Sequence, residues 1–504
     1  MKKCSKKLTA VLLAVIIMLG ALTAMPISVF AAESGESVGT SSGTTGDCTW
    51  TIDDEGTLTI SGNGEMKSNG QYERTNPWGT EIKKVVIEDG VTSIGSFAFC
   101  NCTDLTSVSI GSGVKVIREF AFDNCVGLKK VKISDLDAWY DIQFCCRRSE
   151  DVDAQMYIPY PDNTYSAHPA AYGADLYLNG EIVRDLVIPS NLTEIKDYTF
   201  YGCNSIESVT IPDGVKSIGA GAFARTGITS IDIPNSVENI GASAFDRTAW
   251  YKNQPNGMIY IGNIAYEYKG AMPKGTVIEI KDGTKIIASY AFHGYDNLTG
   301  IIIPDSLEKI EYRAFWWCSN IKKIYISDIA AWCNISYDSF GIDLGYGISY
   351  PISYGAVMYL NGEIIRDLII PYGVETINDY AFYGLCGLTS VTIPDSVTSI
   401  GGSAFSACSN LTIYGYEGSY AEIYAMKENI PFVVITLGDL NGDGAVDISD
   451  ATEIQRALGE FDDSIDLTDG IVIAAADVNK DNKVSIRDVT EIQRFCAEII
   501  TSFE

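Results

Sequence analysis

The chain has 504 residues and a formal net charge of -29, room enough for two or three domains. That acidity excludes nucleic acid and anionic membrane surfaces as natural partners. With only 2 histidines against 29 tyrosines, histidine-based catalysis has little to work with.

Residues 1–32 read as a signal peptide. Lys2, Lys3, Lys6 and Lys7 form a basic start, Leu8 to Met25 an apolar run, and Val29-Phe30-Ala31 a small-residue cleavage site. The alternative is a retained membrane anchor, but no stop-transfer charge cluster comes after it. The mature protein is therefore expected to be secreted and extracellular, with no transmembrane span. Residues 33–46 are Gly/Ser/Thr-rich and read as a flexible linker. Residues 47–81 are expected to cap the long repetitive region beyond them, with strands around Trp50-x-Ile52 and Leu58-x-Ile60 on either side of the turn Asp53 to Gly56.

From 82 to 410 the chain repeats itself. The unit Leu388 to Asn410 is the template: Val391-x-Ile393 alternates like a strand, Pro394 ends it, and Ile400-Gly401 starts a second extended piece. Each unit ends in Ala-Phe or Thr-Phe, at Phe99, Phe122, Phe200, Phe223, Phe245, Phe292, Phe315, Phe382 and Phe405. Adjacent copies such as Phe99 and Phe122 lie 23 residues apart, a solenoid period. The pattern resembles the BspA-type bacterial leucine-rich repeat family, which implies a curved, mostly β solenoid. Two matching units interrupt the period, Ile133–Phe144 with Leu176–Pro189 and Ile326–Phe340 with Met358–Pro371. Each is expected to hold a divergent coil, a bulging loop and a hairpin turning at Asn179-Gly180 or Asn361-Gly362. A third insertion runs from Trp250 to Lys274. Residues 411–435 drop the repeat, with a short helix and a strand, and read as a carboxy-terminal cap.

Cys102, Cys125, Cys203, Cys318 and Cys408 recur three residues after the repeat Phe. Stacked coils place such residues within disulfide range, and export permits oxidation. Free buried thiols are the preferred reading, because Cys alternates with other residues at this position.

The segment 438–498 holds two loops with calcium-ligand spacing. Asp439, Asn441, Asp443, Ala445, Asp447 and Asp450 form the first, and Asp477, Asn479, Asp481, Lys483, Ser485 and Asp488 the second. A hard cation takes six to eight oxygens, and this spacing brings them to one point, with residue seven giving its carbonyl. Gly444 sits at the sharp turn of the first loop, and Asn482 takes that place in the second. Each loop runs into a near-identical helix, ATEIQRALGE or VTEIQRFCAE. The pair resembles a type I dockerin, a small all-α calcium-binding domain of paired EF-hand-like loops. That resemblance implies two calcium ions and, as partner, the cohesin module of a scaffoldin in a cellulosome-type, polysaccharide-degrading complex. Ala451, Ile454 and Leu458, with Val489, Ile492 and Cys496, are expected in its core. The opposite faces, Ser449, Thr452 and Arg456 and then Arg487, Thr490 and Arg494, are the candidate cohesin contacts.

No catalytic constellation stands out. His168 and His293 fall in no zinc or triad pattern, and most carboxylates lie at turns. The preferred reading is a secreted, non-catalytic binding protein anchored through its dockerin. The alternatives are a polysaccharide-active hydrolase delivered by the same dockerin, or a surface adhesin. In each V-x-I strand the middle residue should face out, so Ile302, Tyr325 and Ile369 are candidates for contact with a protein or glycan ligand.

Overall fold

The computed structural model describes residues 41–69, 76–145, 167–338, 351, 355–441, 443–459, 465–467 and 469–503. The signal peptide, most of the linker and the two bulging loops lie outside the described residues.

Each repeat coil contributes two short strands and a turn. The first strands stack in parallel: Lys84–Ile87, Ser107–Ile110 and Lys130–Ile133 pair residue for residue, with Val85, Val108 and Val131 in register. Those three are buried, as are Ile87, Ile110 and Ile133, while the residues between them face outward. The second strands, such as Ser217–Ile218 and Asn239–Ile240, form another parallel row. The third side is a turn whose backbone also bonds from coil to coil, as in Phe99 N–H to Ala121 O at 2.8 Å. Two strand rows and a bonded turn row enclose one continuous interior, and no single coil could bury its apolar side alone.

The repeat phenylalanines are the spine of that interior. Phe99 and Phe122 stack at 5.1 Å, Phe292 and Phe315 at 5.1 Å, and Phe382 and Phe405 at 5.2 Å. Aromatic residues from other elements continue the ladder where the period breaks. Trp78 packs on Phe99, Tyr140 on Phe200, Tyr266 on Phe245 and Tyr424 on Phe405.

The inserted units are built as the asparagine-glycine signal predicts. Asp175–Leu178 turns back on Glu181–Ile182, and Val357–Leu360 on Glu363–Ile364. Asn179, Gly180, Asn361 and Gly362 all have positive φ, the backbone of a type I′ turn. Each unit also carries a short helix, α1 (Leu136–Asp141) or α3 (Ile329–Cys333), capped by Asp135 or Asp328. These helices bury Trp139 and Trp332, whose indole N–H groups donate to Thr199 O at 2.9 Å and Ala381 O at 2.8 Å. In the third insertion, α2 (Ala249–Asn253) precedes the hairpin Gly257–Ile261 with Ile264–Lys269. The Lys269 ammonium donates to the carbonyls of Tyr251 and Lys252 at the end of α2.

At the amino end, one expectation fails. Ser41–Thr45, inside the stretch expected to be a flexible linker, is a strand paired antiparallel with Cys48–Ile52. A neighbouring edge supplies the hydrogen bonds that the Ser/Thr composition does not advertise, and Gly43 lies against the Trp50 indole. At the other end, α4 (Tyr420–Glu428), capped by Ser419, leads to the strand Phe432–Val434, which pairs with Thr412–Gly415.

Among the described residues the cysteines form no disulfide. Cys125, Cys318 and Cys408 donate their S–H to the carbonyl of the repeat Phe one coil back, Phe99, Phe292 and Phe382. Burial pushes the Cys318 thiol up to about 12 and Cys408 to about 11, so these thiols act as small core groups.

Candidate functional site: the paired loops and the outer strand row

The carboxy-terminal segment folds into α5 (Ile448–Leu458), α6 (Gly470–Ala476) and α7 (Ile486–Cys496). Asp447 and Asp450 form a capping box at the start of α5, and Ser485 and Asp488 form one at α7. The core is small: Ala451, Ile454, Ala476, Val478, Val489 and Ile492. Leu458 departs from expectation, for it is 38 % exposed. The last turn of α5 runs past the point where this core ends, whereas Cys496 at the end of α7 is half-buried and packs against it.

The two loops have the same internal wiring. Asp439 accepts the Gly444 N–H at 2.9 Å, and Asp477 accepts that of Asn482 at 2.7 Å. Asp443 and Asp481 donate their N–H groups to Asn441 and Asn479 at 2.8 and 3.0 Å. They in turn accept the N–H groups of Ala445 and Lys483 at 2.9 and 3.0 Å. Asp450 accepts the N–H groups of Asn441 and Asp447, and Asp488 those of Asn479 and Ser485.

Such wiring brings Asp481 and Asp488 near Asp477, though among the described residues no three acidic side chains converge closely enough to hold an ion by themselves. Asp450, Asp477 and Asp488 are buried, and among the described residues no lysine or arginine pairs with them. Burial, then the nearby Asp488 and Asp481 charges, push the Asp477 carboxyl up. Buried like charges without a cation are costly. The donor set is all hard oxygen, carboxylate, amide, hydroxyl and carbonyl, and suits calcium.

The six predicted cohesin-contact residues, Ser449, Thr452, Arg456, Arg487, Thr490 and Arg494, are all exposed. Two neighbours escape the sequence reading. Ile448 and Ile486, the first residues of α5 and α7, are 56 % and 60 % exposed. The signal for them is the same apolar residue at the tenth place of both loops, where the core spacing does not ask for one.

On the solenoid, Ile302 pairs with Tyr325, and Tyr325 with Tyr359. The two tyrosine rings stack at 4.7 Å, so the outer row continues into the inserted hairpin. Tyr359 escapes because the hairpin falls outside the repeat period. Ile369 does not belong to this open row. Like Tyr325 and Tyr359 it is half-buried, but what lies against it is Gly470 at the start of α6. Its neighbour Thr392 is buried for the same reason.

The histidines have structural surroundings. His168 is buried between Trp139, Phe144 and Tyr201. Its Nδ1 accepts the Ala170 N–H at 3.0 Å, which places the ring proton on Nε2, 3.3 Å from Thr199 O. Glu267 and Glu311 are pushed up to about 7 by burial, but each is held by donors of the solenoid. Tyr251 donates to Glu267; Asn239 and Ser289 donate to Glu311. Neither lines the polar groove of 790 Å³ along the amino-terminal coils, which Glu88, Asp89 and Lys132 border.

The family model described as BspA type Leucine rich repeat region matches in 6 copies over residues 78–160, 173–272, 259–341 and 355–426, and the Dockerin type I domain matches residues 437–495. No curated protein sequence matches the chain. A leucine rich cell surface protein from Faecalibacterium prausnitzii is 24% identical, covering 78% of this chain and 98% of its own, with a TM-score of 0.29. A leucine-rich repeat protein from Bacteroides ovatus is 18% identical over 77% of this chain and 98% of its own, at 0.30. One from Eubacterium ventriosum is 19% identical over 73% and 95%, at 0.27. With repeat matches over more than half its length, the chain belongs to the BspA-type leucine-rich repeat family, and it carries a type I dockerin domain behind the repeats.

Proposed function

We propose that this is a secreted, non-catalytic recognition protein whose dockerin attaches it, through calcium, to a cohesin module of a scaffoldin in a polysaccharide-degrading complex. The observation that carries the reading is the paired loops: one hydrogen-bond pattern, built twice, holding two exposed helix faces. Asp439, Asn441, Asp443, Asp447 and Asp450 would hold one ion with the Ala445 carbonyl. Asp477, Asn479, Asp481, Ser485 and Asp488 would hold the second with the Lys483 carbonyl. The ions supply positive charge that neutralises carboxylates the small core cannot bury alone. Ser449, Thr452 and Arg456, or Arg487, Thr490 and Arg494, then meet the cohesin, with Ile448 and Ile486 adding apolar area.

The solenoid is the ligand-reading part. Its outer row joins the exposed Ile302 to the half-buried Tyr325 and Tyr359 beside the inserted units, and a contiguous apolar patch on a rigid scaffold suits a protein or glycan surface.

Binding of the full chain to an immobilised cohesin module, with calcium and then with chelator, tests the attachment. Capture should require calcium. The single changes Arg456→Glu and Arg494→Glu should each weaken capture only partly, because the other helix face remains, and the double change should abolish it. Capture that persists in chelator overturns the reading. Loss from Arg456→Glu alone, with Arg494→Glu silent, overturns use of both faces.

A further inference from the structure

The dockerin is seated on the solenoid, and the seat is its second loop. Asn482 Oδ1 accepts the Tyr372 N–H at 2.7 Å, and Asn482 Nδ2 donates to Tyr372 O at 3.1 Å. One side chain thus pairs with both backbone groups of one residue, as a neighbouring strand would. The Lys480 ammonium lies 2.8 Å from the Asp395 carboxylate and 5.4 Å from the Tyr372 ring centre. The Tyr416 hydroxyl donates to Ala474 O, near the end of α6, at 2.8 Å. At the start of α6, Gly470 rests on Ile369 and Thr392; a Cβ there would fall 2.5 Å from Ile369 Cγ1.

The first loop is built differently at its turn. Its turn residue, Gly444, has nothing within 4 Å of where a Cβ would stand. Asn482 therefore does two jobs. It adopts the positive φ of 64 that the loop turn needs, and it presents an amide that glycine lacks. Lys480 likewise sits inside the loop, between Asp477 and Asp481. The loop that would wrap the ion is the loop that grips the solenoid.

We infer that the solenoid end and the second loop form one calcium-dependent intramolecular interface, so that calcium in this loop also fixes the direction in which the solenoid projects from the dockerin. This rests on the calcium reading proposed above. Asn482 and Lys480 reach Tyr372 and Asp395 only while the loop keeps its shape, and the ion sets that shape. The tether is short, since Ile435 still bonds Gly415 and the first loop begins at Asp439, so docking costs little chain entropy. By reciprocity, whatever calcium does for the seat, the seat does for calcium. The seated dockerin covers Ile369 and Thr392 but leaves all six candidate cohesin contacts exposed. A scaffold-bound molecule would then present its earlier coils, with Ile302 and Tyr325, in one fixed orientation.

Hydrogen exchange of the full chain reads the seat directly, because the Tyr372 amide is bonded to Asn482. Its exchange should be slow with calcium and fast with chelator, while the Gly373 amide, which bonds Ser396 within the solenoid, should change little. Asn482→Gly with Lys480→Ala should release the Tyr372 amide even in calcium. Calorimetry of the same variant should still show two ions, since the turn residue is then that of the first loop. Asp395→Lys alters only the solenoid, yet should weaken the second site about fivefold. An unchanged Tyr372 amide on chelation, or an unchanged second-site affinity in Asp395→Lys, overturns the inference. If the wild-type chain binds no calcium at all, the calcium reading itself has failed, and calorimetry distinguishes that case.

Discussion

The solenoid and the dockerin solve the same problem with opposite means. The solenoid buries a Phe spine flanked by Val and Ile in nearly every coil, so each added coil brings its own core. The dockerin core is Ala451, Ile454, Ala476, Val478, Val489 and Ile492, mostly small side chains, with Asp450 and Asp488 at zero exposure beside them. A segment that short cannot bury enough apolar surface to offset its chain entropy. On the calcium reading proposed above, charge attraction would stand in for the core the dockerin lacks, and the solenoid has no such need.

Chelation should therefore unfold one region only, and strongly. It should melt α5 and α7 while leaving the solenoid's β signal intact, so circular dichroism should lose helix alone. Calcium at a hundred times its dissociation constant contributes about 2.7 kcal/mol per site. Asp439→Ala together with Asp477→Ala should reproduce the chelated state at any calcium concentration. Simultaneous loss of both regions on chelation would contradict this division of labour.

Next in size is a change that should spare the dockerin. Trp139 and Trp332 are each 1% exposed and tie an inserted helix to the coil beyond it. Trp332→Ala should cost about 3–5 kcal/mol through cavity formation and the orphaned Ala381 carbonyl. Denaturant unfolding should show the loss in the solenoid transition, with calcium affinity of the first loop unchanged. Trp139→Ala should cost at least as much, because Phe144 and His168 also pack on that ring.

A pH test separates the two regions again, since both histidines lie in the solenoid. Burial lowers the His168 pKa from 6.5 to about 3, so the unfolded chain binds a proton that the folded chain refuses. Stability from this group is fully present above pH 6.5 and falls as pH drops toward 3. The slope approaches about 1.4 kcal/mol per pH unit where only the unfolded state is protonated. His168→Gln should flatten the solenoid's stability profile between pH 4 and 6.5 relative to wild type. An identical slope in both proteins would remove His168 as the cause.

Local rules made most of this architecture legible. Val-x-Ile alternation, the recurring Pro and the Ala-Phe ending mark the coils, and Asn-Gly marks both hairpins. Asp spacing marks the two loops and their wiring. What escaped depends on pairing partners, one adjacent in the chain and the others distant in sequence. Ser41–Thr45 is a strand only because Cys48–Ile52 lies beside it. Asn482 reads locally as a turn residue, and nothing near it in sequence points to Tyr372, 110 residues away. Ile369 reads as an outward strand residue, which it is, until α6 covers it. Thr392 obeys the same alternation and is buried by the same helix.

A subtler change probes that alternation where nothing covers it. Ile301 and Ile302 are consecutive residues of one strand, the first fully buried and the second 36 % exposed. Ile301→Asp places an unpaired carboxylate in the Phe-lined interior and should unfold the surrounding coils. Ile302→Asp changes a side chain that already meets water, so its cost should stay within about 0.5 kcal/mol. Tyr325→Asp should cost slightly more, about 1 kcal/mol, because it forfeits the stack on Tyr359. Thermal unfolding of the three variants gives the ranking. If Ile302→Asp proves as damaging as Ile301→Asp, the row is not a free surface, and the ligand-reading role assigned to it goes with it. If the ranking holds, the outer row can be altered without touching the spine, which is the condition for a solenoid surface to specialise toward a partner.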